Sequence, residues 1–214
     1  MKLFKTIIAV LSIILAVGYA LELSQYFKFI DTSRESVRFF ALGFAGFLPV
    51  WFLVLRRHYF YSTFEHEFTH LIVGLLFLKK PAGFEATERD GGVTVLYGSN
   101  FVITLGPYFL PTFVFLLFPL YLAINSQCLK YYFLVLGLLT SYHIFSTIQE
   151  FSYRQPDIIK SGKVFSTIFL IFTNILSYGI IITFVAGGFK MTGDFIVGGI
   201  FELKDLYLAA RNLL

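Results

Sequence analysis

Residues 61–77 read YSTFEHEFTHLIVGLLF. Within that apolar run His66 and His70 stand four apart, and Glu67 directly follows the first histidine. On a helix, residues four apart lie one turn apart and about 40° around the axis, so both imidazoles can reach one ion. Zinc takes histidine nitrogen at about 2.0–2.1 Å, and its catalytic sites use three protein ligands plus a water. Glu67 can lie beside such a metal without ligating it, placed to take a proton from water and pass it to a leaving amine. The H-E-x-x-H spacing therefore points to metal-assisted hydrolysis. A bound metal would also compensate polar groups that are costly in apolar surroundings. The plainer alternative is a set of side chains facing water near a helix start.

A third ligand must come from elsewhere in the chain. Downstream candidates are His143, Glu150 and Asp157. Asp157 lies in RQPDIIKSG, a proline-broken interval between two apolar runs. Non-helical backbone at membrane depth is tolerated where it lines a cavity, and such a break can aim a carboxylate inward. His143 reads as a polar residue turned to the interior, and Glu150 as a residue at a helix end.

The elements that position these groups are apolar. The chain has 214 residues, 57% hydrophobic and 20% aromatic with 14% charged, and a mean hydropathy of +0.76. A soluble domain carries about 25% charged residues, so this composition is that of a membrane protein. The net charge of +4 is scattered between apolar runs, which excludes a nucleic-acid footprint. The single cysteine, Cys128, excludes an intrachain disulfide.

Apolar runs suited to spans cover residues 3–22, 39–55, 63–78, 100–124, 130–150 and 164–188. The fold class expected is an all-α polytopic membrane protein of about six transmembrane helices. The first run, with Lys2 and Lys5 at its start, also suits a signal peptide; several following spans favour a retained signal-anchor helix. Ser62 and Glu65 have the spacing of a capping box, which starts the histidine-bearing helix near Thr63. Residues 82–99 read as strand, turn and strand, with Asp90-Gly91-Gly92 as the reversal. The tail, 190–214, suits an amphipathic surface helix. The plan is a single membrane-embedded domain, 1–214, with a catalytic core at about 60–165. Counting six spans puts the start of the histidine helix and Asp157 near opposite faces, so Asp157 must fold back to reach a metal.

Four features in order resemble the site-2 protease type of intramembrane zinc metallopeptidase, especially its small, divergent bacterial branch. HEFTH lies on an apolar helix; a glycine-bearing hairpin, GFEATERDGGVTVLYGS, follows; next comes LGP in an apolar run, and later an aspartate in QPDIIKSG. The resemblance covers about residues 60–165. It implies Zn2+ bound by His66, His70 and Asp157, with Glu67 as general base and acid. It implies a membrane-anchored protein as substrate, held as a strand added to the hairpin, and a multi-pass protein in a bacterial cell membrane. The chain departs from the family at the third ligand, where Asp-Gly is usual and Asp157 precedes Ile158 with Gly162 five residues on. Other classes are a scaffold that has kept the core, a metal transporter, and a membrane zinc peptidase acting on lipidated peptides with Glu150 as ligand. The transporter needs polar groups along several spans; the runs at 39–55 and 164–188 offer few, only Thr167, Thr173, Asn174, Ser177 and Thr183 in the second, and none that ionise.

Overall fold

The computed structural model describes residues 2–87 and 92–211. The elements are α1 (Lys2–Phe29), α2 (Glu35–Leu53), α3 (Tyr59–Leu76), β1 (Pro81–Ala86), β2 (Gly92–Leu96), α4 (Phe101–Leu105), α5 (Thr112–Leu117), α6 (Leu129–Glu150), α7 (Pro156–Ser161) and α8 (Lys163–Arg211), with short 3₁₀ turns between several of them. They form two compact units.

One unit spans residues 35–161. Its frame is α2 packed along α6. Gly43 and Gly137 make that approach possible: a Cβ on Gly43 would strike the Leu134 carbonyl, and one on Gly137 the Phe40 carbonyl. Small residues at such contacts let two apolar helices touch backbone to backbone. Beyond them the seam is aromatic, Phe47 and Trp51 against Tyr142, and Trp51 against Phe145. α3 also packs on α6 and runs antiparallel to it, since Ser62 meets Glu150 while Glu65 meets His143. β1 and β2 pair antiparallel, with Phe84 opposite Thr94 and Glu85 opposite Val93. This is the hairpin expected; Asp90 and Gly91 lie outside the described residues.

The second unit comprises the described residues of 1–34 and 162–214. In it α1 packs along α8, which is not one straight rod. Gly187 (φ −155°, ψ 17°) and Gly188 (φ 68°, ψ −161°) are non-helical. Residues 179 and 195 would stand about 24 Å apart on a straight helix, yet a Cβ on Gly179 would strike the Phe195 ring. The Tyr19 ring likewise lies against both Phe172 and Phe195, at 6.0 and 5.4 Å. The chain therefore doubles back at the two glycines, and the φ of Gly188 is one that side chains other than hydrogen resist. The described part of the tail, expected as a surface helix, forms the second arm of this hairpin.

The expected count of six spans is not confirmed, and a count by length and composition takes α8 once although it doubles back. Among the described residues four helices are long and apolar enough to cross a membrane, Lys2–Lys28, Glu35–Leu53, Ser126–Glu150 and Lys163–Lys204. A fifth arises if Phe101–Tyr108 and Thr112–Leu122 are taken together, but that pair is bent by 91°. Pro107 and Pro111 remove backbone donors at the bend and disfavour helix before them. The histidine helix α3 is absent from the count because Glu65, His66, Glu67 and His70 interrupt its 18 residues.

Candidate metal centre

His66 and His70 project from α3 and converge. Nε2 of His66 lies 3.3 Å from Asp157 Oδ2, and Nε2 of His70 lies 3.2 Å from the same oxygen. Two donors bonded to zinc at about 2.0–2.1 Å and held at a tetrahedral angle stand about 3.3 Å apart. The spacing thus fits the separation of ligands around one ion. The carboxylate of Glu67 also comes within 4.8 Å of donor atoms of both histidines. Asp157 and Glu67 thus both bring a carboxylate to the two histidines. All these groups are largely buried, so a cation here would act through little intervening water.

Local structure aims each group. His70 Nδ1 donates to the Ile103 carbonyl at 2.8 Å. A carbonyl can only accept, so the lone pair of the neutral imidazole lies on Nε2, toward Asp157 and His66. Such an outer hydrogen bond fixes tautomer and ring orientation in metal sites. Ile103 is held in turn by Asn100, whose side chain accepts from the Ile103 N–H at 2.9 Å and caps α4. His66 rests on the Tyr108 ring, edge to face at 5.1 Å. Asp157 is delivered by α7. Its first helical residue is Pro156, whose fixed φ suits that position, and Gly162 follows its end at φ 98°.

The hairpin lies over the same face. Thr94 Oγ1 donates to the Glu67 carbonyl at 2.9 Å. A Cβ on Gly92 would stand 2.5 Å from Glu67 Cγ and 2.7 Å from Thr63 Cγ2, so only glycine lets β2 approach so closely. Between β2, α4 and α7 opens a cleft of about 260 Å³, lined by His70, Thr94, Leu96, Ser99, Asp157 and Lys160 among others.

Behind the centre a polar clasp joins α3 to α6. Glu65 and His143 are 3% and 1% exposed, and Nδ1 of His143 lies 2.8 Å from Glu65 Oε1. Ser146 donates to the other oxygen of Glu65. Glu150 accepts from Ser62 at 2.7 Å and from Thr63 at 3.1 Å. The capping-box expectation is corrected here. α3 begins four residues earlier, at Tyr59 after His58, and Glu65 lies inside it facing α6. A buried carboxylate is better served by an imidazole and a hydroxyl than by the backbone of its own helix.

The two remaining candidates for third ligand, His143 and Glu150, are thus engaged with Glu65 and with Ser62 and Thr63. The fold also removes the topological conflict over Asp157. Because the bent pair does not run straight, α6 ends on the side where α3 begins. The chain then needs only the turn at 151–155 to return to the histidines. Glu65 and Tyr108 were not singled out as contributors from sequence. No signal in the sequence separates Glu65 from a capping residue, because its partners His143 and Ser146 lie on α6.

Residues 39–154, more than half of the chain, match the family described as Peptidase M50B-like, and the chain belongs to this site-2 protease family. The match ends three residues before Asp157. No curated protein and no solved structure matches the chain. With its long apolar helices, the family marks it as an integral membrane protein.

Proposed function

We propose that this Peptidase M50B-like protein is a multi-pass, zinc-dependent intramembrane endopeptidase acting on membrane-anchored proteins. The observation that carries the proposal is the approach of His66, His70 and Asp157 to ligand spacing with Glu67 beside them. His66, His70 and Asp157 would hold the ion. When bound, zinc supplies Lewis acidity to a carbonyl oxygen and to a water molecule.

The chain's own groups supply the rest. The exposed edge of the hairpin offers main-chain donors and acceptors to a peptide lying as an added strand, and the cleft beside β2 leads to Asp157 and His70. An extended peptide presents a carbonyl that a helix shields. Glu67 takes a proton from the attacking water and delivers it to the leaving amide nitrogen, a role worth about 10²–10⁴-fold in rate. Gly92 leaves the room its side chain needs beneath β2.

The test is metal content of the detergent-purified protein, compared with His70→Ala, Asp157→Ala and Glu67→Gln. About one zinc per chain is expected in wild type and in Glu67→Gln, with loss in the other two. Retention in Asp157→Ala moves the third ligand to another residue. No metal in wild type after zinc is supplied refutes the proposal.

A further inference from the structure

The two histidines of the candidate centre differ behind their rings. An imidazole that ligates a metal keeps its lone pair on the nitrogen facing the ion. Its proton then stands on the other nitrogen, which needs an acceptor. For His70 that acceptor is the Ile103 carbonyl, 2.8 Å from Nδ1. His66 turns Nε2 toward Asp157, and among the described residues no protein group bonds its Nδ1. That nitrogen is not among the buried polar atoms that lack a partner, so it keeps surface that water can reach.

Beside His66 lies a small cavity that leaves about 10 Å³ for the centre of a water molecule, room for one. Ser62, Glu65, Ser146, Thr147 and Glu150 line it together with His66. The bonds these groups already make narrow down which of them serves the water. Both oxygens of Glu65 are engaged, one by His143 and the other by Ser146. Thr147 donates to the Pro107 carbonyl at 3.3 Å. Glu150 takes Ser62 and Thr63 on Oε1 alone. Its Oε2 accepts from no described residue, and like His66 Nδ1 it is not among the buried atoms without a partner.

We infer that one water bridges His66 Nδ1 to Glu150 Oε2, and that Glu150 is the positioning residue for His66. The inference rests on the metal-site reading above. The Nδ1 proton is donated to the water, and the water donates to the carboxylate. The bridge holds the lone pair of His66 on Nε2, and the carboxylate charge behind it makes that nitrogen a stronger ligand. His66 and Glu150 make no direct hydrogen bond, so the link needs the intervening molecule. Ser62 stands one turn before His66 on α3 and holds Oε1 of Glu150 at 2.7 Å, so one helix fixes both ends of the bridge.

Zinc affinity of the full chain in detergent, measured by competition with a chromophoric chelator, tests this. The unfolding temperature of the zinc-free protein is read alongside. Glu150→Gln keeps an acceptor for Ser62 and Thr63 but replaces the other oxygen by a donor. It should still bind one zinc per chain, about 10–100-fold more weakly, with zinc-free unfolding unchanged. Glu150→Asp, which keeps the charge on a shorter stem, should lie between. Wild-type affinity in Glu150→Gln overturns the inference and leaves the metal site standing. Zinc lost outright, as expected for Asp157→Ala, makes Glu150 a ligand and overturns it too. So does a zinc-free unfolding temperature that falls with the affinity, since Glu150 is then structural. No zinc in wild type sinks the metal site itself and the inference with it. Should Glu150→Gln fail to fold, nuclear magnetic resonance of zinc-loaded wild type with isotope-labelled histidine still decides. The His66 Nδ1 proton should show a cross-peak to water, and the His70 Nδ1 proton, which faces a carbonyl, should not. Absence of that difference overturns the inference.

Discussion

Replacing His143 by leucine isolates the clasp that backs the candidate metal centre. In wild type the imidazole and the Glu65 carboxylate are 2.8 Å apart, with 1% and 3% exposure. His143→Leu leaves that carboxylate buried with Ser146 as its remaining side-chain partner. Removing one member of a buried ion pair costs about 3–5 kcal/mol, whereas replacing both by apolar residues of similar volume is often neutral or stabilising. For chains of this size one kcal/mol moves the midpoint by about 2–4 °C. His143→Leu should therefore lower the unfolding temperature by roughly 6–20 °C. The double substitution Glu65→Leu with His143→Leu should recover most of that loss. Thermal unfolding in detergent, followed by tryptophan and tyrosine fluorescence, reads both. A single variant within about 2 °C of wild type, or a double variant as damaged as the sum of the singles, refutes a buried, mutually dependent pair.

Three further outcomes are expected. Gly92→Ala places a methyl 2.5 Å from Glu67 Cγ and 3.0 Å from the Glu85 carbonyl, so Glu67 must move by about 1 Å to reach ordinary contact. Such a displacement costs on the order of 10²-fold in rate. Cleavage of a membrane-anchored reporter in proteoliposomes should fall by that factor while zinc content stays constant. Glu67→Gln should cut the same cleavage by about 10²–10⁴-fold with zinc retained. Gly188→Ala forces a φ of 68° with ψ of −161° on a residue that resists it. The cost is about 1–3 kcal/mol, visible as a lowered unfolding temperature without change in zinc content.

The histidine pair of the candidate centre was legible because its logic is local. Four residues on a helix place His66 and His70 on one face whatever surrounds them. The hairpin was legible for the same reason, from alternation in VTVLY and the glycines before it. Asp157 drew attention through the proline break around it, and the resemblance gave it a role. What escaped was set by partners distant in the chain. Glu65 reads as a cap until α6, 78 residues on, supplies an imidazole. The run at 100–124 reads as one span because hydropathy does not register the turn that Pro107 and Pro111 impose. α8 reads as one span and a tail because two adjacent glycines are ordinary in an apolar stretch. Periodicity reports the conformation of a segment and says little about which face another segment will cover.

The reversal at Gly187 and Gly188 has a consequence for compartments. The arms on either side, residues 163–186 and 189–211, have nearly equal length, so residue 211 returns to the level from which residue 163 departs. Lys190 and Asp194, paired at 3.0 Å and well exposed, sit just past the turn and mark its polar end. If both arms cross a membrane, the stretch contributes an even number to the parity of crossings. A reporter enzyme fused after residue 211 and a protease site placed before residue 163 belong to the same compartment. A straightened variant would separate them, stranding the carboxyl end in the opposite one.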